Sequence, residues 1–247
     1  MSLDVDFRFQ VPDAQAPGAF AVARDGLVPL SRPIVLVLDR RDPAVAAVLQ
    51  AVVLPRPERD LLAGIHHAER RAELTARRAA LRLAVGATLG LAPPLVPLGR
   101  GVAGEPEVTG FALHVSVSSR GHRLAVGLWN QPIGVDVEGP IAEAALPRAM
   151  MHEREIALVE AAAVADRPVT AALVWAAKEA AWKAAVMPVS RDPRGFAVGV
   201  EADGQVTVED PGQPAAGGIA LWLPEIDGAV AVVVAGVPAV AADGARV

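Results

Sequence analysis

The chain has 247 residues, enough for one domain or for two of about 100–150 residues each. Hydrophobic residues make up 53% of it and aromatic residues 4%, which favours a large aliphatic core over disorder. The net charge of −5 argues against nucleic acid as a partner, and the absence of cysteine excludes disulfides, thiolate metal sites and thiol catalysis. We expect a soluble cytoplasmic protein, because the chain lacks a signal-peptide pattern and an apolar run of the ~18–20 residues that span a bilayer.

The first regular elements in chain order are a strand and two helical stretches. Residues 34–38 form a continuous aliphatic run that predicts a buried strand. Asp42 followed by a proline is typical of a helix start. The charge-rich residues 57–89 predict one long helix, and we expect most of its arginines on a solvated face. His66 and His67 would point about 100° apart on that helix, which favours surface residues over metal ligands.

A glycine-rich run and three hairpins account for most of the remaining chain. Residues 99–104 match G-x-G-x-x-G, but the dinucleotide fingerprint needs a strand before it and a helix after it. Prolines lie on both sides of this run, so we reject a Rossmann interpretation. Alternating hydrophobicity around short turns predicts β-hairpins. The predicted hairpins pair residues 113–118 with 124–129, 196–201 with 205–209, and 219–223 with 229–235.

One predicted strand carries two acids, in residues 131–138. Period-2 alternation places Asp136 and Glu138 on one face of the strand and Val135 and Val137 on the other. Two carboxylates that face the same way favour the binding of a cation.

An alanine-rich run without Pro or Gly predicts a helix later in the chain. Four of its residues stand at positions i, i+3, i+4 and i+7 and so share a face that would normally be apolar: Trp175, Lys178, Glu179 and Trp182. Lys178 and Lys183 are the only lysines of the chain, whose other basic residues are all arginine. One interpretation is an ordinary surface ion pair between Glu179 and Lys183, with the tryptophans in the core.

The other interpretation is a metal site. Glu179 added to Asp136 and Glu138 gives three oxygen ligands without histidine or cysteine. Such a set suits a hard ion such as Mg²⁺, which proteins usually hold with a few carboxylates and substrate phosphates.

The two motifs together resemble a known family. Gly134-Val-Asp-Val-Glu138 followed by Trp175-x-x-Lys-Glu-Ala-x-x-Lys183 is similar to the paired signature of the 4'-phosphopantetheinyl transferase superfamily, in its long, monomeric type. The resemblance implies an α+β fold of two similar halves related by a pseudo-twofold axis, with the active site at their interface. We expect residues 1–130 to form the half that contacts coenzyme A and residues 131–247 the half with the metal and catalytic motifs.

The resemblance also implies a role for each matching residue. Mg²⁺ would be held by Asp136, Glu138 and Glu179, and the catalytic residues would be Glu155, as general base, with Lys178 and Lys183. Coenzyme A would be bound by Arg70 and Arg78 at its 3'-phosphate, by the Gly104 and Pro106 loop near its adenine, and by the phosphate-contacting turn of Ser118, Ser119 and Arg120. Two positions depart from the family pattern: Ser119 stands where a histidine is usual, and Ala103 where a basic residue often is.

These residues lead to one principal functional hypothesis and two alternatives. We expect Mg²⁺-dependent transfer of 4'-phosphopantetheine from coenzyme A to a serine of an acyl, polyketide or peptidyl carrier protein, by a monomer without nucleic-acid or membrane partners. The first alternative is a degenerate, non-catalytic member that binds carrier proteins or a nucleotide. The second is a Mg²⁺-dependent phosphotransferase that acts on another nucleotide.

Overall fold

The computed structural model describes residues 4–8, 30–102, 104–185, 191–210 and 216–235. These residues form an α+β fold, as predicted. The helices are α1 (Pro43–Ala51), α2 (Arg56–Ala63), α3 (Ala68–Leu89), α4 (Glu153–Ala161) and α5 (Arg167–Ala184). The strands are β1 (Asp6–Arg8), β2 (Ile34–Asp39), β3 (Leu98–Arg100), β4 (Pro106–Val108), β5 (His114–Arg120), β6 (Arg123–Trp129), β7 (Ile133–Glu138), β8 (Ala197–Val200), β9 (Gln205–Glu209), β10 (Ala216–Leu223) and β11 (Gly228–Ala235).

Two sheets contain all of these strands. The first has the order β1-β2-β6-β5-β4-β3, and only its β1–β2 pair is parallel. The second has the order β7-β11-β10-β9-β8 and is antiparallel throughout. Helices α1 and α3 pack on the first sheet, and α4 and α5 pack on the second.

The side-chain alternation of the strands explains why the two sheets pack together. In β2, Leu36 lies in the core beneath α1 and α3, while Val35 and Val37 belong to a separate core between the sheets. In β7, Val135 and Val137 contribute to that same inter-sheet core. Because strand residues alternate between faces, both sheets bury apolar side chains on each face, which gives layers in the order helix, sheet, sheet, helix.

Strand β7 is an edge strand of the second sheet, and β5 of the first sheet lies beside it. The backbone N–H of Val135 donates to Ser116 Oγ at 3.0 Å, so a side chain of the first sheet satisfies a group on the free edge of the second. The strand that carries Asp136 and Glu138 therefore lies where the two sheets meet.

Helix α5 approaches β7 very closely at Gly134. A Cβ atom there would lie 1.9 Å from the Ala180 carbonyl oxygen and 2.5 Å from the Ala184 nitrogen. Only glycine lets the two backbones meet at this distance. The contact fixes α5 over the strand face that carries the two carboxylates.

The structure confirms much of the predicted secondary structure. All three hairpins are present, and the Asp42 side chain accepts a hydrogen bond from the Ala44 N–H at the start of α1. The glycine-rich run begins within β3 and leads to β4 rather than to a helix. His66 and His67 are exposed, as expected. Within the described ranges, no helix has the length and hydrophobicity needed to cross a bilayer.

The single helix predicted for residues 57–89 is wrong. The chain forms α2 and α3, separated by four residues that include Gly64. The break is stabilised locally, because the His67 ring accepts from the Arg70 N–H at 3.3 Å as the N-cap of α3 and the Arg71 side chain donates to the Ile65 carbonyl. The pseudo-twofold relation and the division into residues 1–130 and 131–247 stay predictions.

Candidate active site

The predicted carboxylates and one of the two lysines come together between β7 and α5. Asp136 is buried, and its Oδ1 accepts from Ser118 Oγ and from Lys183 Nζ, each at 2.6 Å. Lys183 also donates to the Val135 carbonyl at 3.2 Å. The Asp136 Oδ2 atom is buried and has no hydrogen-bond partner among the described residues. The cluster therefore has an unused acceptor at its centre, which is costly unless a cation or water reaches it.

Burial and neighbouring charge raise the pKa of two of the three carboxylates, Glu138 and Glu179. Burial and the neighbouring charges of Asp136 and Glu179 raise the pKa of Glu138 to about 7, although Arg120 and Lys183 oppose this. Burial, followed by the charge of Asp136, also raises the pKa of Glu179. The charge of Asp136 thus disfavours charge on Glu138 and Glu179, which is an electrostatic state that a divalent cation relieves.

The donor chemistry of this cluster fits Mg²⁺, but its arrangement is not that of a finished metal site. Among the described residues, no group of three or more His, Asp or Glu side chains is placed to hold a metal ion. Side-chain cations lie at the carboxylates instead: Lys183 at Asp136, and Arg120 at Glu138 with a separation of 3.3 Å. A metal would have to replace at least part of these contacts.

Lys178 and Glu155 lie elsewhere, in the core between α4, α5 and β8. Lys178 Nζ donates to Glu155 Oε1 at 2.8 Å and to the Phe196 carbonyl at 2.6 Å, and it lies 4.0 Å from the centroid of the Phe196 ring. Glu155 also accepts from the backbone N–H groups of Val198 and His152, both at 2.9 Å. Both side chains are almost fully buried. The pair is hydrogen-bonded within the fold and makes no described contact with the carboxylate cluster.

The predicted phosphate turn is placed beside the cluster, with its side chains engaged by acids. Ser118 donates to Asp136, and Arg120 approaches Glu138. Ser119, which stands where the family has histidine, donates to Glu73 Oε1 at 2.6 Å. His122 contacts the Ile226 carbonyl, so it does not replace the missing charge in this structure. Ala103, the other departure, lies outside the described residues.

The two predicted 3'-phosphate arginines lie on α3 and pair with different acids, one on α3 and one on α2. Arg70 pairs with Glu73 at 3.0 Å, and Arg78 pairs with Glu58 at 3.1 Å. Eight residues along a helix correspond to about 12 Å, so the two guanidiniums start from well-separated points. Their joint role at one phosphate stays a prediction.

A cavity of about 710 Å³ opens beside the cluster, between the first sheet and α5. It is lined by Lys183 and Trp182 on one side and by the predicted Gly104 and Pro106 loop on the other. The size is within the usual range of sites for cofactor-sized ligands, about 300–1,000 Å³. The lysine that holds Asp136 therefore faces a cavity large enough for a nucleotide-containing substrate.

Two further arginines line this cavity, Arg77 and Arg100. Arg77 donates to the Val117 carbonyl at 3.2 Å, and burial, together with the charge of Arg70, lowers its pKa. Neither arginine forms an ion pair with a described residue. The available signal was proximity: Arg77 is adjacent to Arg78, and Arg100 lies within the glycine-rich run.

The comparison with known families agrees with this geometry. Residues 132–231 match the model of the 4'-phosphopantetheinyl transferase superfamily, and this segment, less than half of the chain, contains β7, α5 and the whole carboxylate and lysine cluster. No curated protein matches the chain. The match supports phosphopantetheinyl transfer as the general activity, without identifying the long type. Over residues 132–231, the chain is therefore similar to the 4'-phosphopantetheinyl transferase superfamily.

Proposed function

We propose that this protein transfers the 4'-phosphopantetheine arm of coenzyme A to a serine of an acyl, polyketide or peptidyl carrier protein, with Mg²⁺ as cofactor and as a monomer. The observation that carries the proposal is the cluster of three carboxylates and Lys183. This cluster lies beside a cavity whose arginines form no ion pair with a described residue. A mutually repelling set of acids next to cations is suited to binding a metal and polyphosphate together.

Each group of the cluster has a distinct part in this proposal. Asp136, Glu138 and Glu179 would hold Mg²⁺, which when bound would offset negative charge on the pyrophosphate of coenzyme A. Lys183, released from Asp136, would donate to a phosphate oxygen as charge develops there. Arg77 and Arg100 would contact anionic groups of the substrate along the cavity.

The proton of the attacking serine needs an acceptor. The family resemblance assigns this role to Glu155, but a base must come within hydrogen-bond reach of the proton it removes. The buried pair that Glu155 forms with Lys178 would have to open for this to happen. We propose that the pair mainly positions α5, so that Glu179 and Lys183 face β7.

The direct test is mass spectrometry of purified acyl and peptidyl carriers after incubation with coenzyme A, Mg²⁺ and this protein. A carrier that gains the phosphopantetheine mass, and a serine-to-alanine carrier that does not, would support the proposal. Glu179→Gln should abolish the gain, whereas the exposed Glu201→Gln should leave it intact. If no carrier is modified but coenzyme A still binds, the non-catalytic alternative is correct.

That alternative has its own support in the structure. Arg70, Arg78 and Ser119 are all engaged by acids, and the three carboxylates are not closed around a metal position in the described part of the chain. A binding module would need neither metal nor a free Lys183. Calorimetric titration of coenzyme A with and without Mg²⁺ separates the two functions, because only the enzyme should need the metal to bind the pyrophosphate.

A further inference from the structure

A second large cavity lies on the far side of α3, between α1, α2 and α3. It measures about 870 Å³, and its walls include Leu49, Leu54 and Leu62 together with Ala72 and Ala76. The three leucines are buried, and the small alanines of α3 leave space in front of them. No residue of the metal and lysine cluster lines this cavity, so it is separate from the candidate active site.

Three arginines stand among these apolar residues: Arg40, Arg59 and Arg71. None of the described residues that line the cavity is Asp or Glu. Arg59 donates to the Leu54 carbonyl at 2.6 Å, Arg71 to the Ile65 carbonyl at 2.9 Å, and Arg40 to the Gly121 carbonyl. The Arg40 Nε atom is buried and has no hydrogen-bond partner among the described residues. The cavity therefore combines an apolar wall with positive charge that no carboxylate balances.

The distribution of arginines over the whole fold makes this combination unusual. Most arginines in the described part of the chain form ion pairs with Asp or Glu. Those of the described residues that form none are Arg40, Arg59, Arg71, Arg77 and Arg100. The last two line the cavity beside the active-site cluster, and the first three line the cavity between the helices. Within the described ranges, each arginine without an ion pair therefore lines one of these two cavities.

We propose that the cavity between α1, α2 and α3 binds an aliphatic carboxylate, with its chain on the leucine and alanine wall and its head at the three guanidiniums. Guanidinium is the side-chain group that best matches a carboxylate, through paired N–H donors. An uncharged aliphatic ligand would leave these arginines without a carboxylate partner, and a short anion would leave the apolar wall exposed to water. The ligand must therefore be both aliphatic and anionic, and its binding does not depend on the transferase activity.

The test is isothermal titration calorimetry of the full chain with decanoate, kept below the concentration at which it aggregates. We expect saturable binding that strengthens from butyrate to decanoate by up to about fourfold for each buried methylene. The neutral 1-decanol should bind at least about tenfold more weakly, since it lacks the charge-assisted hydrogen bonds. Absence of saturable decanoate binding, or equal binding of decanol, would overturn the proposal.

Three arginine variants locate the ligand. Arg59→Gln and Arg71→Gln should each weaken decanoate binding at least about tenfold, with circular dichroism to show that both variants fold. Arg56→Gln is the matched control, because it lies on α2 but pairs with Asp60 and does not line the cavity. Loss of binding in Arg77→Gln, with normal binding in Arg59→Gln and Arg71→Gln, would place decanoate in the active-site cavity and reject the second site.

Discussion

Replacing Lys178 by methionine should destabilise the fold by about 3–5 kcal/mol, because it leaves the buried charge of Glu155 without its counter-ion. Methionine conserves most of the aliphatic stem, so the loss reports charge more than volume. In the native fold, burial lowers the pKa of Lys178, and the hydrogen bond to Glu155 opposes this effect. The lysine side chain is 2% exposed and that of Glu155 is 0% exposed, so water cannot screen the charge that remains.

Urea unfolding, followed by tryptophan fluorescence, would measure this change. Lys183→Met is the matched control, because it removes the other lysine of α5, whose side chain is 30% exposed. We expect the control to lose less stability than Lys178→Met and to lose more of the phosphopantetheinyl transfer rate. The double variant Lys178→Met with Glu155→Leu should recover part of the stability, because no unpaired charge stays buried.

The opposite pattern would refute this reasoning. If Lys178→Met unfolds at the wild-type urea concentration but no longer transfers phosphopantetheine, the buried pair must open in the working enzyme. Lys178 and Glu155 would then act on the substrate, as the family resemblance implies. A stability loss with a proportionate, modest loss of activity would mean that the pair positions α5.

Three further predictions concern the cluster and the coenzyme A contacts. Burial and the charge of Asp136 raise the pKa of Glu138 from 4.5 to about 7. Between these two pH values the folded chain keeps a proton that the unfolded chain releases. The contribution of Glu138 to the free energy of unfolding therefore falls as the pH rises from 4.5 to 7. Glu138→Gln should therefore raise the melting temperature at pH 8 but not at pH 4. Mg²⁺ should stabilise the wild type at pH 8 more than it stabilises the variant. Equal melting temperatures of the two proteins, or equal stabilisation by Mg²⁺ in calorimetry, would contradict this. Arg78→Ala should weaken coenzyme A far more than dephospho-coenzyme A in titrations, unless Arg78 does not contact the 3'-phosphate. Ser119→His should bind coenzyme A about fivefold more tightly, since an imidazole offers a charged donor where the hydroxyl is now used by Glu73; unchanged or weaker binding by calorimetry would count against a phosphate contact at this turn.

The local elements of the fold could be predicted because they depend on neighbours in sequence. Alternation gave the three hairpins and the β7 strand, and the alanine-rich composition gave α5. Strand β1 was not predictable in the same way, since three residues carry too little periodicity and its pairing with β2 is long-range. The break between α2 and α3 depends on a histidine cap, which is a weak signal beside so regular a charge pattern.

The direction of side chains on α5 was beyond the sequence. Helical spacing placed Lys178 and Glu179 on one face, but adjacent residues diverge by about 100°, and each found a different partner. Lys178 reaches Phe196, directly before β8, and Glu155 of α4, whereas Glu179 faces Asp136. Which residues meet across a helix is decided by tertiary packing, and no spacing rule within the helix contains that information.

The close contact at Gly134 connects the packing of the fold to the electrostatics of the site. Because α5 lies directly on the β7 backbone, Glu179 is held near Asp136 although their charges repel. A larger residue at position 134 would push the helix outward and relax this repulsion. Burial, followed by the charge of Asp136, raises the pKa of Glu179, and the backbone contact at Gly134 is what holds Glu179 in this position. A divalent cation bound to these carboxylates would remove the same repulsion, so the close packing of α5 on β7 is compatible with the proposed metal site.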